Sequence, residues 1–121
     1  MSEPWLADAA DDNPTASDES GEPICQATLT LQSGAEEGRT YTLHGGGTTL
    51  GRSPDNDIVL DDATVSRRHC RVYWREIAYV LEDLTSSNGT YLNRERIQIA
   101  FLYSGDTLQI GEQVLRFTLV G

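Results

Sequence analysis

Short runs of alternating apolar and polar residues, separated by turn-forming residues, recur along most of this chain. Residues 26–32 and 70–75 each alternate in this way, and the segments between such runs are rich in Gly, Pro, Asn and Asp. No window has the 3.6-residue period and the capping residues of a helix. About ten short strands at close spacing are typical of an antiparallel β-sandwich or barrel. We therefore predict an all-β fold.

The first 23 residues have a different composition from the rest. Seven of the 19 acidic residues fall within residues 1–22, no basic residue does, and after Met1 the only large apolar side chains are Trp5 and Leu6. Such a segment buries too little apolar surface to offset the entropy of ordering. We predict a disordered acidic tail over residues 1–23 and one folded domain over residues 24–121, which is long enough for a core without disulfides.

Charge and hydropathy narrow the classes of partner. The net charge is −10 and all nine basic residues are arginine. So acidic a chain is a poor general binder of nucleic acid, which requires neutralisation of many phosphates. No apolar run approaches the ~18 residues of a membrane span, and the N-terminus has no secretory signal features. We predict a monomeric cytoplasmic protein without membrane contact, in which Cys70 is a small buried apolar residue.

Two stretches between predicted strands carry groups suited to an anion. Ser66-Arg67-Arg68-His69 offers a hydroxyl beside two guanidinium groups, a combination that suits a dianionic tetrahedral group. Gly51-Arg52 combines a residue that permits a sharp turn with a side chain that can clamp a phosphate through two N–H groups. Each stretch alone also fits an ordinary explanation, a solvated strand face for the first and a surface turn for the second.

A third stretch, residues 86–90, follows another predicted strand. Asn88-Gly89 is a strong turn signal, because Asn and Gly tolerate left-handed backbone geometry. The Asn88 amide could bind a ligand's main chain and the Ser87 hydroxyl could reach a phosphate, although the turn alone would explain Asn88-Gly89. We expect the three stretches to converge on one phosphate group.

In order and spacing, these stretches resemble the forkhead-associated (FHA) family of phosphothreonine-binding domains. In that family a Gly-Arg pair is followed by Ser-x-x-His, then by an Asn-Gly-Thr turn with an Asn soon after. The matching positions here are Gly51-Arg52, Ser66-Arg67-Arg68-His69, Asn88-Gly89-Thr90 and Asn93. The resemblance covers about residues 25–121, and the lead-in over residues 55–60 looks like the bacterial branch. It implies an antiparallel β-sandwich of ten to eleven short strands in two packed sheets, with recognition loops at one apex.

The resemblance also implies roles for individual residues. Those expected to bind phosphothreonine or the peptide around it are Arg52, Ser66, Arg67, Ser87 and Asn88. Those expected to shape the loops are Gly51, His69 and Gly89, while Thr64 matches a position that in some members reads the peptide residue three after the phosphothreonine. The implied function is a signalling module that recruits or occludes a partner phosphorylated by a Ser/Thr kinase. The kinase itself is a further candidate partner, and no cofactor, metal or catalysis is expected.

Three other kinds of site have weaker support in the sequence. A catalytic triad of Ser66 and His69 with Asp61 or Asp83 lacks the Gly-x-Ser-x-Gly elbow. A nucleotide-binding loop over residues 46–53 has Arg52 where Lys is required, and Pro54 follows instead of a helix. Metal binding has no ligand spacing to support it; the candidate ligands are Cys25, His44, His69 and Cys70.

Two further hypotheses remain open from the sequence. A domain of this fold could contact its main partner through a sheet face without phosphate, and Arg52→Ala would separate that mode from phosphopeptide binding. In the tail, Thr15 has an acid three residues later at Asp18. If a kinase phosphorylated Thr15, the tail could occupy the domain's own site, because a short linker gives an effective concentration in the millimolar range. A purely solubilising tail is the ordinary alternative.

Overall fold

The computed structural model of the protein describes residues 26–120. Within that range the chain forms eleven strands and no helix, which confirms the predicted all-β fold. In chain order the strands are β1 (Gln26–Leu31), β2 (Thr40–Thr42), β3 (Thr48–Gly51), β4 (Ile58–Val59), β5 (Cys70–Arg75), β6 (Ala78–Asp83), β7 (Thr90–Leu92), β8 (Glu95–Ile97), β9 (Ile99–Leu102), β10 (Thr107–Ile110) and β11 (Gln113–Val120). The predictions for residues 1–23 lie outside the described residues.

The strands form two sheets. One has six strands in the order β2-β1-β11-β10-β7-β8, and the other has five in the order β4-β3-β5-β6-β9. The chain changes sheet four times, and the passage between β8 and β9 takes place at the single residue Gln98. All neighbours are antiparallel except β3 and β4, where Leu50 lies opposite Ile58. The sequence did not predict this parallel pair. The loop over residues 52–57 returns the chain so that β4 runs beside β3 in the same direction, and its Asp57 carboxylate accepts a hydrogen bond from the Thr49 N–H.

The core lies between the two sheets and follows the predicted alternation. In β1, Ala27 and Leu29 are fully buried and Leu31 is nearly so. Each fully buried side chain of leucine size contributes about 1.5–3 kcal/mol relative to an exposed one. The Tyr79 ring packs edge-on against Phe117, with ring centroids 5.6 Å apart. The two inward faces therefore supply the principal stabilisation of the sandwich.

Cys70 lies in this core, as predicted. Its side chain is fully buried, and burial raises the pKa of the thiol, with the Asp83 carboxylate adding to the shift. A thiol that remains protonated is a poor nucleophile and a poor metal ligand. Cys25 lies outside the described residues.

The turn between β7 and β8 differs by one residue from the sequence-based expectation. The strand-like runs over residues 91–93 and 96–99 predict a tight turn at Arg94-Glu95, but the turn residues are Asn93 and Arg94, with φ angles of 50° and 75°. Two consecutive left-handed residues form the tight hairpin turn that favours Asn at its first position. The Asn93 side chain adds a hydrogen bond to Asp106 and accepts one from the Thr107 N–H.

Strand register places several loops at one end of the sandwich. β3 ends beside the start of β5, since Leu50 pairs with Cys70, and Cys70 in turn pairs with Asp83 at the end of β6. In the other sheet, Thr90 at the start of β7 pairs with Ile110 at the end of β10. The loops over residues 52–57, 60–69 and 84–89 therefore meet, and we call this end the apex.

Candidate functional site: the apical loops

Gly51 allows two apical loops to lie against each other. A methyl group at Gly51 would sit 2.1 Å from the Arg67 carbonyl oxygen, so no larger residue fits there. Immediately after it, the Arg52 N–H donates to the Ser66 carbonyl and the Ser53 N–H donates to the Arg67 carbonyl. The predicted loop-shaping role of Gly51 thus has a steric basis in this close approach.

The Arg52 side chain is fixed at one end and exposed at the other. Its Nε donates to the Val65 carbonyl oxygen over 3.1 Å. Its two terminal nitrogens have no hydrogen-bond partner within residues 26–120, and the residue is exposed. A guanidinium carries five N–H donors in a rigid fork. Holding Nε orients the remaining four toward solvent at the apex.

Ser66 and Ser87 are joined across two loops. The Ser87 N–H donates to the Ser66 Oγ over 3.0 Å. A hydroxyl has one hydrogen and two lone pairs, so the Ser66 hydrogen remains available to a ligand after this contact. The Ser87 side chain is exposed beside it. The pair presents two hydroxyls next to the loop that holds Arg52.

Asn88 has its side-chain amide held from one side. Its Nδ2 donates to the Thr64 carbonyl oxygen over 2.7 Å. Because a carbonyl oxygen only accepts, this contact requires the amide nitrogen to face Thr64. It leaves Oδ1 as an acceptor at the exposed surface of the apex. An acceptor in a fixed orientation is suited to the backbone N–H of an extended peptide.

His69 connects the same loops from beneath. Its ring is fully buried, Nδ1 accepts a hydrogen bond from the Ser66 N–H, and Nε2 donates to the Gly89 carbonyl over 2.8 Å. The two contacts require the neutral tautomer with hydrogen on Nε2. His69 therefore contacts the backbone of both loops at once.

Sequence reasoning missed the buried network that supports the β6–β7 turn. The Asp83 carboxylate accepts hydrogen bonds from the Ser86 and Thr90 hydroxyls and from the Ser86 N–H, and the Ser86 Oγ accepts one from the Gly89 N–H. Burial alone would raise the pKa of Asp83, but these donors outweigh it and lower that pKa. The available signal was the spacing of Asp83 and Ser86, since an Asp three residues before a Ser is typical of a side-chain-bonded turn.

Asn56 is a second residue that the sequence did not single out. It is nearly fully buried, and its Nδ2 donates to the carbonyl oxygens of Ser53 and Arg67 over 2.8 and 2.6 Å. The amide thereby fastens the β3–β4 turn to the loop that carries Ser66. An Asn within a Pro-Asp-Asn turn looks like ordinary turn chemistry, so the sequence gives no sign of this second contact.

Thr64 belongs to a clasp between the apex and the β10–β11 turn. Its hydroxyl donates to Asp62 over 2.6 Å and accepts from the Glu112 N–H over 2.8 Å. The other Asp62 oxygen accepts from the Gln113 amide. These contacts lower the pKa of Asp62. The hydrogen bonds from Thr64 contribute most, and the one from Gln113 contributes less. The hydroxyl hydrogen is thus used within the protein, and the peptide-reading role of Thr64 stays a prediction.

The structure brings most of the predicted site residues together. Hydrogen bonds link the loops that carry Arg52, Ser66, Ser87 and Asn88, whereas the exposed Arg67 side chain makes no hydrogen bond or ion pair within the described range. Both His69 ring nitrogens are occupied without the Ser66 hydroxyl, so the triad geometry does not form. Residues 48–51 form strand β3 with a turn after it, not a nucleotide-binding loop and helix. Thr15 lies outside the described residues.

Two negative findings concern residues 26–120 alone. In that part of the chain no group of three or more His, Cys, Asp or Glu side chains is placed to hold a metal ion. The same residues include no helix long and apolar enough to cross a membrane.

Comparison with known proteins agrees with the geometry. The FHA domain model matches residues 48–111. The glycogen accumulation regulator GarA of Mycobacterium tuberculosis is 42% identical over 97 residues, which are 80% of this chain and 60% of that protein. The oxoglutarate dehydrogenase inhibitor of Corynebacterium efficiens is 40% identical over 104 residues, which are 86% of this chain and 73% of that protein. The chain thus spans about 60% of the length of its mycobacterial relative.

Solved structures show the same architecture. A chain from a structural and functional analysis of phosphothreonine-dependent FHA domain interactions has a TM-score of 0.72 and 36% identity, over 77% of this chain and 95% of that chain. EmbR of Mycobacterium tuberculosis, in complex with a low-affinity phosphopeptide, also has a TM-score of 0.72, with 39% identity over 79% of this chain and 25% of that chain. The sandwich and its apical loops therefore have direct structural counterparts.

Proposed function

This chain belongs to the FHA family of phosphothreonine-binding domains, and from that premise we propose that its apical loops bind a phosphothreonine segment of a protein partner. The observation that carries the proposal is the Arg52 guanidinium, held through Nε by Val65 beside the Ser66 hydroxyl. Phosphothreonine carries a charge of about −1.5 to −2 near pH 7 and three acceptor oxygens. The apex offers the matching donors.

Each group has a distinct task in this proposal. Arg52 and the Ser66 hydroxyl bind the phosphate, with Arg67 and Ser87 as additional donors. Asn88 accepts from the peptide backbone through Oδ1, because its Nδ2 is held by Thr64. A charge-assisted hydrogen bond is worth about 1.5–3 kcal/mol. A few such contacts on a small surface correspond to micromolar affinity, around −8 kcal/mol.

The biological role that follows is recruitment or occlusion of a protein partner in the cytoplasm, without catalysis by this chain. The names of its relatives, a regulator of glycogen accumulation and an inhibitor of oxoglutarate dehydrogenase, support a regulatory role. The partner would carry a threonine phosphorylated by a Ser/Thr kinase, and the kinase is itself a candidate partner. Phosphorylation of Thr15 stays a prediction, tested by treating the full chain with candidate kinases and mapping the modified sites by mass spectrometry.

The test is binding of a degenerate phosphothreonine peptide pool, followed by amide NMR and fluorescence anisotropy. We expect shifts at Arg52, Ser66, Arg67, Ser87 and Asn88 with phosphothreonine, and none with the unphosphorylated pool. Arg52→Ala should weaken binding by about 100-fold, the equivalent of two charge-assisted bonds at the low end of their range.

Arg116→Ala is the matched control, since Arg116 is an exposed arginine on β11 and has no hydrogen bond or ion pair in the described part of the chain. It should bind as the unmodified chain does. Equal binding by the Arg52→Ala chain would overturn the proposal and would direct attention to a phosphate-independent contact on a sheet face.

A further inference from the structure

Arg96 places a further guanidinium near the apex, from strand β8 and not from the loops that carry Arg52 and Arg67. In the β7–β8 pair Arg96 lies opposite Tyr91, and its side chain extends back to the turn before β7. A methyl group at Gly89 would lie 2.7 Å from Arg96 Nε and 3.0 Å from Cζ. The guanidinium therefore lies against Gly89, the residue that follows Asn88.

The charge of Arg96 is not neutralised by the part of the protein that the structure describes. The ion pairs found within residues 26–120 join Arg39 to Glu36 and Arg71 to Glu82. Arg96 is exposed and donates no hydrogen bond to any residue of that range. A guanidinium without an acceptor, held against a buried glycine of the recognition turn, is available to a ligand.

Arg52 and Arg96 are held by different parts of the site. Arg52 is fixed by Val65 in the β4–β5 loop, whereas Arg96 packs on Gly89 in the β6–β7 turn. Asn88, whose amide is oriented for a peptide backbone, directly precedes Gly89. A peptide anchored by its phosphate at Arg52 and by its main chain at Asn88 would bring a neighbouring side chain within reach of Arg96.

We propose that Arg96 reads an acidic side chain of the bound peptide, close in sequence to the phosphothreonine. The inference rests on the proposed function and adds a specificity determinant to it. A carboxylate accepts two parallel hydrogen bonds from a guanidinium, which an amide or alanine at the same peptide position cannot match. Because Arg96 contacts Gly89, which follows Asn88 in the turn, we assign it to a neighbouring peptide side chain, and the phosphate is left to Arg52 and to the Ser66 and Ser87 hydroxyls.

The experiment measures dissociation constants by fluorescence anisotropy for a set of phosphothreonine peptides. The parent peptide has alanine around the phosphothreonine, and each derivative carries one Asp, or one Asn, at one of the three positions on either side. With the unmodified chain we expect Asp to bind about three- to fivefold tighter than Asn at one or two positions, as for a partly exposed ion pair. Arg96→Gln should abolish that preference and leave affinity for the alanine parent within about twofold.

Two variants make the result decisive. Arg116→Gln removes the same charge from the outer face of the same sheet, away from the apex, and should retain the preference for Asp. Arg96→Lys keeps the charge and should retain part of the preference for Asp.

The inference is overturned if the unmodified chain shows no preference at any position, if Arg96→Gln weakens every phosphopeptide equally, or if Arg116→Gln also removes the preference. Failure of the proposed function is distinct, because then phosphorylated and unphosphorylated parent peptides would bind alike.

Discussion

Between the two sheets, Leu29, Leu81 and Phe117 are fully buried and pack without polar partners, whereas at the apex Asp83, Ser86 and Thr90 are almost as buried and bind one another. The first region is stabilised by the burial of apolar surface, an effect that does not depend on direction. The second is held by hydrogen bonds, which act over short distances and fix angles. The comparison suggests that core substitutions change how much of the protein is folded, while apical substitutions change how the ligand groups are presented.

The largest expected effect on stability is in the core. Phe117→Ala removes a fully buried ring that packs edge-on against Tyr79, and should lower the free energy of unfolding by about 3–5 kcal/mol. Urea denaturation followed by fluorescence would measure the loss. The folded fraction should still bind phosphopeptide with unchanged affinity, and a large loss of intrinsic affinity would contradict the separation of the two regions.

A substitution at the contact between two apical loops should affect both properties. In Gly51→Ala the added methyl would lie 2.1 Å from the Arg67 carbonyl oxygen and 2.7 Å from Asn56 Nδ2, so the backbone must move. Overpacking of this kind costs about 1–3 kcal/mol. Because the same movement displaces Arg52, we expect phosphopeptide affinity to fall by more than tenfold in anisotropy titrations.

Gly105→Ala is a useful control for that experiment. Gly105 has positive φ, but nothing lies within 4 Å of its added methyl, and the residue is in the β9–β10 connection. It should lower stability through backbone strain and leave peptide affinity unchanged. A similar loss of binding in both variants would mean that the effect of Gly51→Ala is not local to the apex.

Asp83 gives the apex a dependence on pH that the apolar core lacks. Its pKa is lowered in the folded state, so its contribution is fully present above the unfolded-state value of about 4 and is lost as the pH falls through the lower folded-state value. Asp83→Asn puts an amide donor opposite a hydrogen-bond donor, and should cost about 1–3 kcal/mol near pH 7. The stability difference between the two proteins should narrow below about pH 4 in urea titrations at several pH values. A difference independent of pH would exclude the carboxylate as its source.

The sequence was informative where side chains act through a local pattern and silent where they act across the fold. Alternation predicted β5 correctly over residues 70–75, and the motif spacing predicted that the Arg52 and Ser66 loops meet. Asp62 and Gln113 bind each other across 51 residues of chain, and no local pattern encodes such a pair. Arg96 was missed for the same reason, because its contact with Gly89 depends on the register of the β7–β8 hairpin, which was expected one residue later.

The smallest expected effect distinguishes presentation from contact within the apex. The structural hydrogen bond of Ser87 comes from its backbone N–H, which donates to the Ser66 Oγ and is retained in Ser87→Ala. Stability should therefore stay within about 0.5 kcal/mol of the unmodified chain. If the exposed hydroxyl donates to the phosphate, affinity should fall by about tenfold, the low end of the range for a hydrogen bond to a charged group. Ser66→Ala should lower both stability and phosphopeptide affinity further, because it removes a donor to the phosphate together with the acceptor that holds the Ser87 N–H.

Equal affinities for the Ser87→Ala and unmodified chains would restrict phosphate binding to the β3–β4 and β4–β5 loops. The β6–β7 turn would then hold only the peptide main chain, through Asn88.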